Sequence, residues 1–175
     1  MKSSSSNLQA SQSSPSGLEG ILESLAPHFA TLDQYLKAQV SSFEPEVQPL
    51  VHYTFGHSGK KLRPMLVFLS GWEADVTSRE ELVRAAAIVE LVHLATLVHD
   101  DILDEADLRH QTETVKARYD AHSAVLLGDA LFAHALHLAT DYPGNEVCRA
   151  VAAATRQVCS GEIAQTFARG NADLS

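Results

Sequence analysis

The sequence predicts an all-α protein. Two observations carry this: apolar residues recur at three- and four-residue steps over most of the chain, and no stretch alternates apolar and polar residues as a half-buried strand does. No internal repeat interrupts the pattern. The 175 residues suit one domain with a sizeable core, and 45% apolar with 20% charged residues is ordinary for a globular chain.

Residues 1–17, MKSSSSNLQASQSSPSG, are Ser-rich with little to bury and read as a disordered tail before a domain spanning 18–175. They contain no arginine, so they do not resemble a transit peptide. From Leu18 the positions Leu18, Ile21, Leu22, Leu25, Phe29, Leu32, Leu36 and Val40 form one apolar helical stripe. Pro45 and Pro49 punctuate the following segment. GKKLRPMLVFLSGW (59–72) reads as a loop feeding a helix, with Pro64 suited to its first turn and Gly71 to its exit. Ser78 and Glu81 form a capping box for a helix running through Asp104. A further helix is expected over about 122–140, stopped by DYPGN, and a last one over about 146–168.

The net charge of −9 excludes the basic stripe that nucleic acid needs, but not a small anion held by a few local cations. The longest apolar run, AAAIVELVHLATLV (85–98), falls short of the roughly 20 residues of a membrane span. Cys148 and Cys159 read as small buried thiols in a reducing compartment, and the protein is expected to be cytoplasmic. Trp72 reads as core, Gly128 as a site of close helix packing, and His99, about 100° off the Asp100 stripe, as packing or as support behind the acids. His134 and His137 read as partly buried or surface histidines. Asp129 is open between pocket and surface.

The chemistry concentrates in HDDILDEADLRH (99–110), which sets five acids within eight positions behind an apolar helix. At about 100° per residue, His93, Leu97, Asp100 and Asp104 share one stripe, with Asp101 beside it. Neighbouring carboxylates repel unless a cation lies between them, and Mg²⁺ takes such hard oxygens with phosphate and water completing its shell. The string alone equally describes a solvated helix end. GKKLRP tips the balance: Lys60, Lys61 and Arg63 gather at a helix start, where free N–H groups already favour an anion, and Arg109 follows the acids. Metal-binding acids with two separate basic groups suit a site for two diphosphates.

GKKLRP, ELVHLATLVHDDILDEADLR, AVLLGDALF and GEIAQ, in this order and spacing, resemble the trans-isoprenyl diphosphate synthases of the polyprenyl synthetase family. The resemblance implies an isoprenoid-synthase-type helical bundle and Mg²⁺-dependent prenyl transfer from an allylic diphosphate to isopentenyl diphosphate. It makes Asp100, Asp101 and Asp104 the first aspartate-rich motif, holding Mg²⁺ against the allylic diphosphate with Arg109. It gives Lys60, Arg63, His93 and the position of His110 to the isopentenyl diphosphate, and makes Glu162 and Gln165 lining or packing residues. The sequence departs from the family at three points. Ser58 replaces a glycine, His110 and Gln111 stand where arginine and glycine are usual, and residues 105–175 hold no second aspartate pair. The resemblance therefore covers the first half of a synthase. It implies a prenyltransferase polypeptide that needs the other half or a partner in a homo- or hetero-oligomer, or alternatively a non-catalytic regulatory subunit of a heteromeric synthase.

Overall fold

The computed structural model describes residues 17–57, 59–71 and 79–170. Seven helices appear among them: α1 (Leu18–Gln39), α2 (Gln48–Gly56), α3 (Leu62–Ser70), α4 (Arg79–Leu103), α5 (Val115–Arg118), α6 (Ala121–Ala139) and α7 (Glu146–Gly170). The all-α expectation holds. The tail at 1–16, the residue at Ser58, the capping serine Ser78 and Trp72 lie outside the described residues.

Helix α4 is the axis of the bundle, packing chiefly on α6 and then on α3 and α1. Its core residues Ala86, Ala87, Ile88, Leu91, Leu94, Ala95 and Val98 join Leu25, Leu32, Phe68, Leu127 and Leu131 in one apolar cluster. Small residues at 86, 87 and 95 let neighbouring backbones approach closely. Residues 80–103 are long and apolar enough to cross a membrane by length and composition, which qualifies the expectation drawn from the run 85–98. Half of that apolar stretch is buried within the chain, as befits a core helix, and Glu90 lies on its buried side.

Several helix ends follow from local chemistry. Asp120 caps α6 by accepting from the Ser123 amide at 2.7 Å, and the Thr114 hydroxyl accepts from the Ala117 amide at 3.2 Å to open α5. Gly71 follows α3 as expected but has φ −99°, so left-handed geometry is not its purpose. A Cβ there would meet the Leu82 side chain, so Gly71 permits α3 to pass close to α4. Gly128 has the same kind of reason: a Cβ would enter the space of the His99 ring. His99 packs at this point and lies 3.1 Å from the Val125 carbonyl, while Asp129 is on the surface, 3.6 Å from the same ring. His134 is buried and donates to Gln39 Oε1 at 3.0 Å, tying α6 to α1.

Three features depart from the sequence reading. The proline-punctuated segment contains α2, with Pro49 in its first turn, where a missing N–H costs nothing. A minimal hairpin, too short to carry an alternating pattern, pairs β1 (Leu108–Arg109) with β2 (Thr112–Glu113). Its turn residues His110 and Gln111 have φ of 49° and 66°, the left-handed geometry that tight hairpins need. Finally, Cys148 is only half-buried and Cys159 is exposed, both as free thiols. Cys159 lies on α7, whose packing among the described residues is mainly on α6, which leaves its outer face uncovered there.

Candidate active site

A cavity of about 640 Å³ opens between the α2–α3 connection, α4 and the hairpin. It is lined by Lys60, Lys61, Arg63, Glu90, His93, Arg109 and His110, with His57, Gly59, Leu62 and Leu97. The five residues that the sequence assigned to substrate binding thus meet in one place, although 50 positions separate Lys60 from His110.

Each wall has a local cause. Lys61 precedes α3 in a left-handed conformation, with φ 50°, and its ammonium pairs with Asp33 of α1. This anchors the basic loop and leaves Lys60 exposed at the cavity. Arg63 Nη1 lies 3.0 Å from His93 Nε2. A guanidinium only donates, so His93 accepts and must be neutral. Burial, then Arg63 and Arg109, lower its pKa to about 4, consistent with that role. Arg109 places Nη2 and Nε at 2.8 and 3.0 Å from Asp101 Oδ1. The hairpin that carries Arg109 and His110 is braced by the Tyr53 hydroxyl, which donates to the Glu113 carbonyl at 2.6 Å. A smaller cavity of about 160 Å³ adjoins on the far side of the hairpin, sharing His57, Leu97, Arg109 and His110.

The acids divide. Asp100 and Asp104 line a separate cavity of about 300 Å³ with Leu103 and, from α7, Glu162, Gln165 and Thr166. Asp101 is buried and turned to Arg109, so the structure brings together two of the three predicted aspartates and not the third. Burial, followed by the negative charge of Glu162, raises the Asp100 pKa; Arg109 counters this, while Asp104 and Asp101 add to it. Glu162 and Gln165 are lining residues, as expected. Among the described residues, no three His, Cys, Asp or Glu side chains are grouped as a closed metal cage. The donor set still fits Mg²⁺, which commonly takes one or two carboxylates and keeps water and phosphate for the rest. Burial and the neighbouring carboxylates together raise Asp100, and a cation there would offset both.

Two residues of the basic cavity, Glu90 and His57, and the Lys61 partner Asp33 escaped the sequence reading. Glu90 is 2% exposed, and its Oε2 has no hydrogen-bond partner among the described residues. Burial raises its pKa, opposed by Lys61 and Arg63, with Asp33 adding to the rise. Its signal was an acid inside an apolar run, three residues before His93 on the same helix face. His57 at the end of α2 and Asp33 on α1 had no local signal, because only the tertiary fold brings them to the basic loop.

Residues 44–175 match the family model described as polyprenyl synthetase. The chain is 32% identical over 157 residues to an all-trans-nonaprenyl-diphosphate synthase (geranyl-diphosphate specific) of Rhodobacter capsulatus, covering 90% of this chain and 48% of that protein. It is 29% identical to the octaprenyl diphosphate synthase of Escherichia coli, over 90% of this chain and 49% of that protein. Among solved structures, a decaprenyl diphosphate synthase from Rhodobacter capsulatus superposes with a TM-score of 0.74 at 32% identity, covering 85% of this chain and 46% of that one. The chain spans about half the length of the curated relatives it matches. With its helical bundle and the match over residues 44–175, the chain belongs to the polyprenyl synthetase family.

Proposed function

We propose that these residues supply the diphosphate-handling part of a Mg²⁺-dependent prenyl transfer, in which an allylic diphosphate is condensed with isopentenyl diphosphate. The observation that carries this is the meeting of Lys60, Arg63, His93, Arg109 and His110 in one cavity beside the Asp100–Asp104 pair. In this reading Lys60, Arg63 and His110 hold the diphosphate of isopentenyl diphosphate, while His93 fixes the Arg63 fork. Asp100 and Asp104 hold Mg²⁺, which supplies charge stabilisation to the departing pyrophosphate when bound. Asp101 sets Arg109 between the two diphosphates and reaches the metal only if that pair opens. Holding both substrates in place and excluding water is the remaining task of the walls.

The products are proposed to be longer than a farnesyl chain. The family resemblance places chain-blocking aromatics four and five residues before the aspartates, where this chain has the small Thr96 and Ala95. Relatives whose names specify nonaprenyl, solanesyl and octaprenyl products agree with this. Thr96→Phe and Ala95→Phe should shorten the product by filling the path of the growing chain. Ala95 is fully buried, so Thr96→Phe is the better-tolerated probe.

The facing carboxylates of a second aspartate-rich motif are proposed to come from residues beyond these 175, on the same or another polypeptide. Exposed Val158, Ile163 and Phe167 on α7 are where such residues would pack. Accordingly, the 175-residue chain alone should condense labelled isopentenyl diphosphate at least 10²-fold more slowly, to order of magnitude, than it does with a polypeptide carrying that motif. An ordinary enzyme rate from the chain alone would refute this assignment. A regulatory role in a heteromer is the second reading, favoured by His110 in place of a fixed cation and by 30% identity to a protein named heptaprenyl diphosphate synthase component 2, from Geobacillus stearothermophilus. We place the protein in the cytoplasm, which cell fractionation would check.

A further inference from the structure

The proposed function leaves Glu90 unexplained. An anion pocket has an acid in its wall, 2% exposed, with Oε2 unpartnered among the described residues while two cations stand close enough to influence it. Those cations have other attachments: Lys61 pairs with Asp33, and Arg63 donates to His93. With the cavity empty, an ionised Glu90 balances the positive charge around it. When a diphosphate enters, the ligand supplies that balance, and the same carboxylate becomes a like charge in a poorly solvated wall. A proton on Oε2 removes the repulsion and turns an orphaned acceptor into a donor aimed at an anionic oxygen.

We propose that Glu90 is a positioning residue of the basic cavity which takes up one proton from solvent as the diphosphate binds, coupling occupancy of this pocket to pH. The inference rests on the reading of this cavity as a diphosphate site. Glu90 shares the helix face of His93 and Leu97, so its protonation state acts on the ligand both directly and through Arg63. Its raised pKa agrees with this geometry. The other groups facing the cavity behave differently. Lys60, Lys61, Arg63 and Arg109 supply the positive charge of the wall, and Asp33 is paired with Lys61. The imidazoles of His57, His93 and His110 are equally present in a Glu90 variant, so a comparison cancels them.

The test is calorimetry of inorganic pyrophosphate binding to the full chain without Mg²⁺, in buffers of different ionisation enthalpy, from pH 6 to 8.5. Wild type is expected to take up about one proton more than Glu90→Gln, since pyrophosphate's own protonation is common to both. Glu90→Gln should bind roughly tenfold more tightly at pH 8.5 and converge on the wild type near pH 6. Equal proton counts, or weaker binding by Glu90→Gln at every pH, would overturn the proposal. If the variant does not fold, ¹³C-glutamate-labelled wild type should show one carboxyl resonance moving to its neutral position on adding pyrophosphate, and its absence overturns the proposal. Arg63→Ala separates the two ideas. If it binds as the wild type does, or if the wild type does not bind, the cavity reading fails and the inference with it. If Arg63→Ala loses binding while the proton counts agree, only the role of Glu90 fails.

Discussion

The basic and acidic cavities are built in opposite ways. In the basic one, three cations are already held by protein: Lys61 by Asp33, Arg63 with His93, and Arg109 by the buried Asp101. In the acidic one, Asp100 and Asp104 face the further acid Glu162, and burial and repulsion raise the Asp100 pKa. On the proposed reading, the first is preorganised for an anion, whereas the second calls for a cation to offset its acids. In the proposed function, two substrates carrying the same diphosphate group would be told apart in this way, one by a fixed protein fork and the other by its metal.

The largest expected effect falls on the acidic half. Asp100→Ala or Asp104→Ala should lower the condensation rate of the active assembly by about 10²–10³, because preorganised charge stabilisation is lost at the leaving group. Addition of Mg²⁺ should not restore it. Retained activity in both variants would erase the distinction between the halves.

Asp101→Asn tests the link between them. It removes the carboxylate that fixes Arg109, whose side chain is 37% exposed against 8% for Asp101. With water able to reach the guanidinium, the cost should be about 1–3 kcal/mol in chemical denaturation. An unchanged midpoint would show that the pair contributes no stability.

The pH dependence of stability sharpens the basic half. His93 is held near pKa 4, below its ordinary 6.5, so the unfolded chain binds more protons between those values. Stability from this group is therefore complete above about pH 6.5 and is lost as pH falls toward 4. Glu90 and Asp100, whose pKa values are raised, act in the opposite sense, giving stability at low pH that is lost as pH rises through their folded values. The reading to take is the difference between wild type and His93→Gln, which should show a shallower acid-side loss in the variant. Parallel curves would contradict a neutral, buried His93.

The smallest effect is expected at Glu162. Glu162→Gln removes a like charge facing Asp100 and should raise metal-free stability by a few tenths of a kcal/mol, on the scale of neighbouring like charges. Lower stability without metal would mean that the acids are not in repulsion.

Much of this was legible before the structure. α1, α4, α6 and α7 are long and periodic enough to read directly, and the residues of GKKLRP and the aspartate stretch form the two cavities. α2 was hidden because its nine residues have proline in the first turn and carry a weak stripe. The hairpin was hidden because its strands are two residues each and its turn uses His110 and Gln111 instead of Asn-Gly. Spacing on one helix placed Asp101 beside Asp100 and Asp104, and nothing local indicated that Arg109 would turn it away. Glu90 was visible as an anomaly in an apolar run, but its neighbours Lys61 and Asp33 come from the loop before α3 and from α1.

The central claim is that one half binds a diphosphate with its own cations and the other needs a metal. Calorimetry with isopentenyl diphosphate and with an allylic diphosphate, each with Mg²⁺ and in EDTA, tests it most directly. Isopentenyl diphosphate should bind in both conditions and lose affinity in Arg63→Ala. The allylic diphosphate should bind only with Mg²⁺, and Asp100→Ala and Asp104→Ala should abolish that binding. Equal allylic binding in EDTA, or binding unaffected by either aspartate variant, would contradict the account.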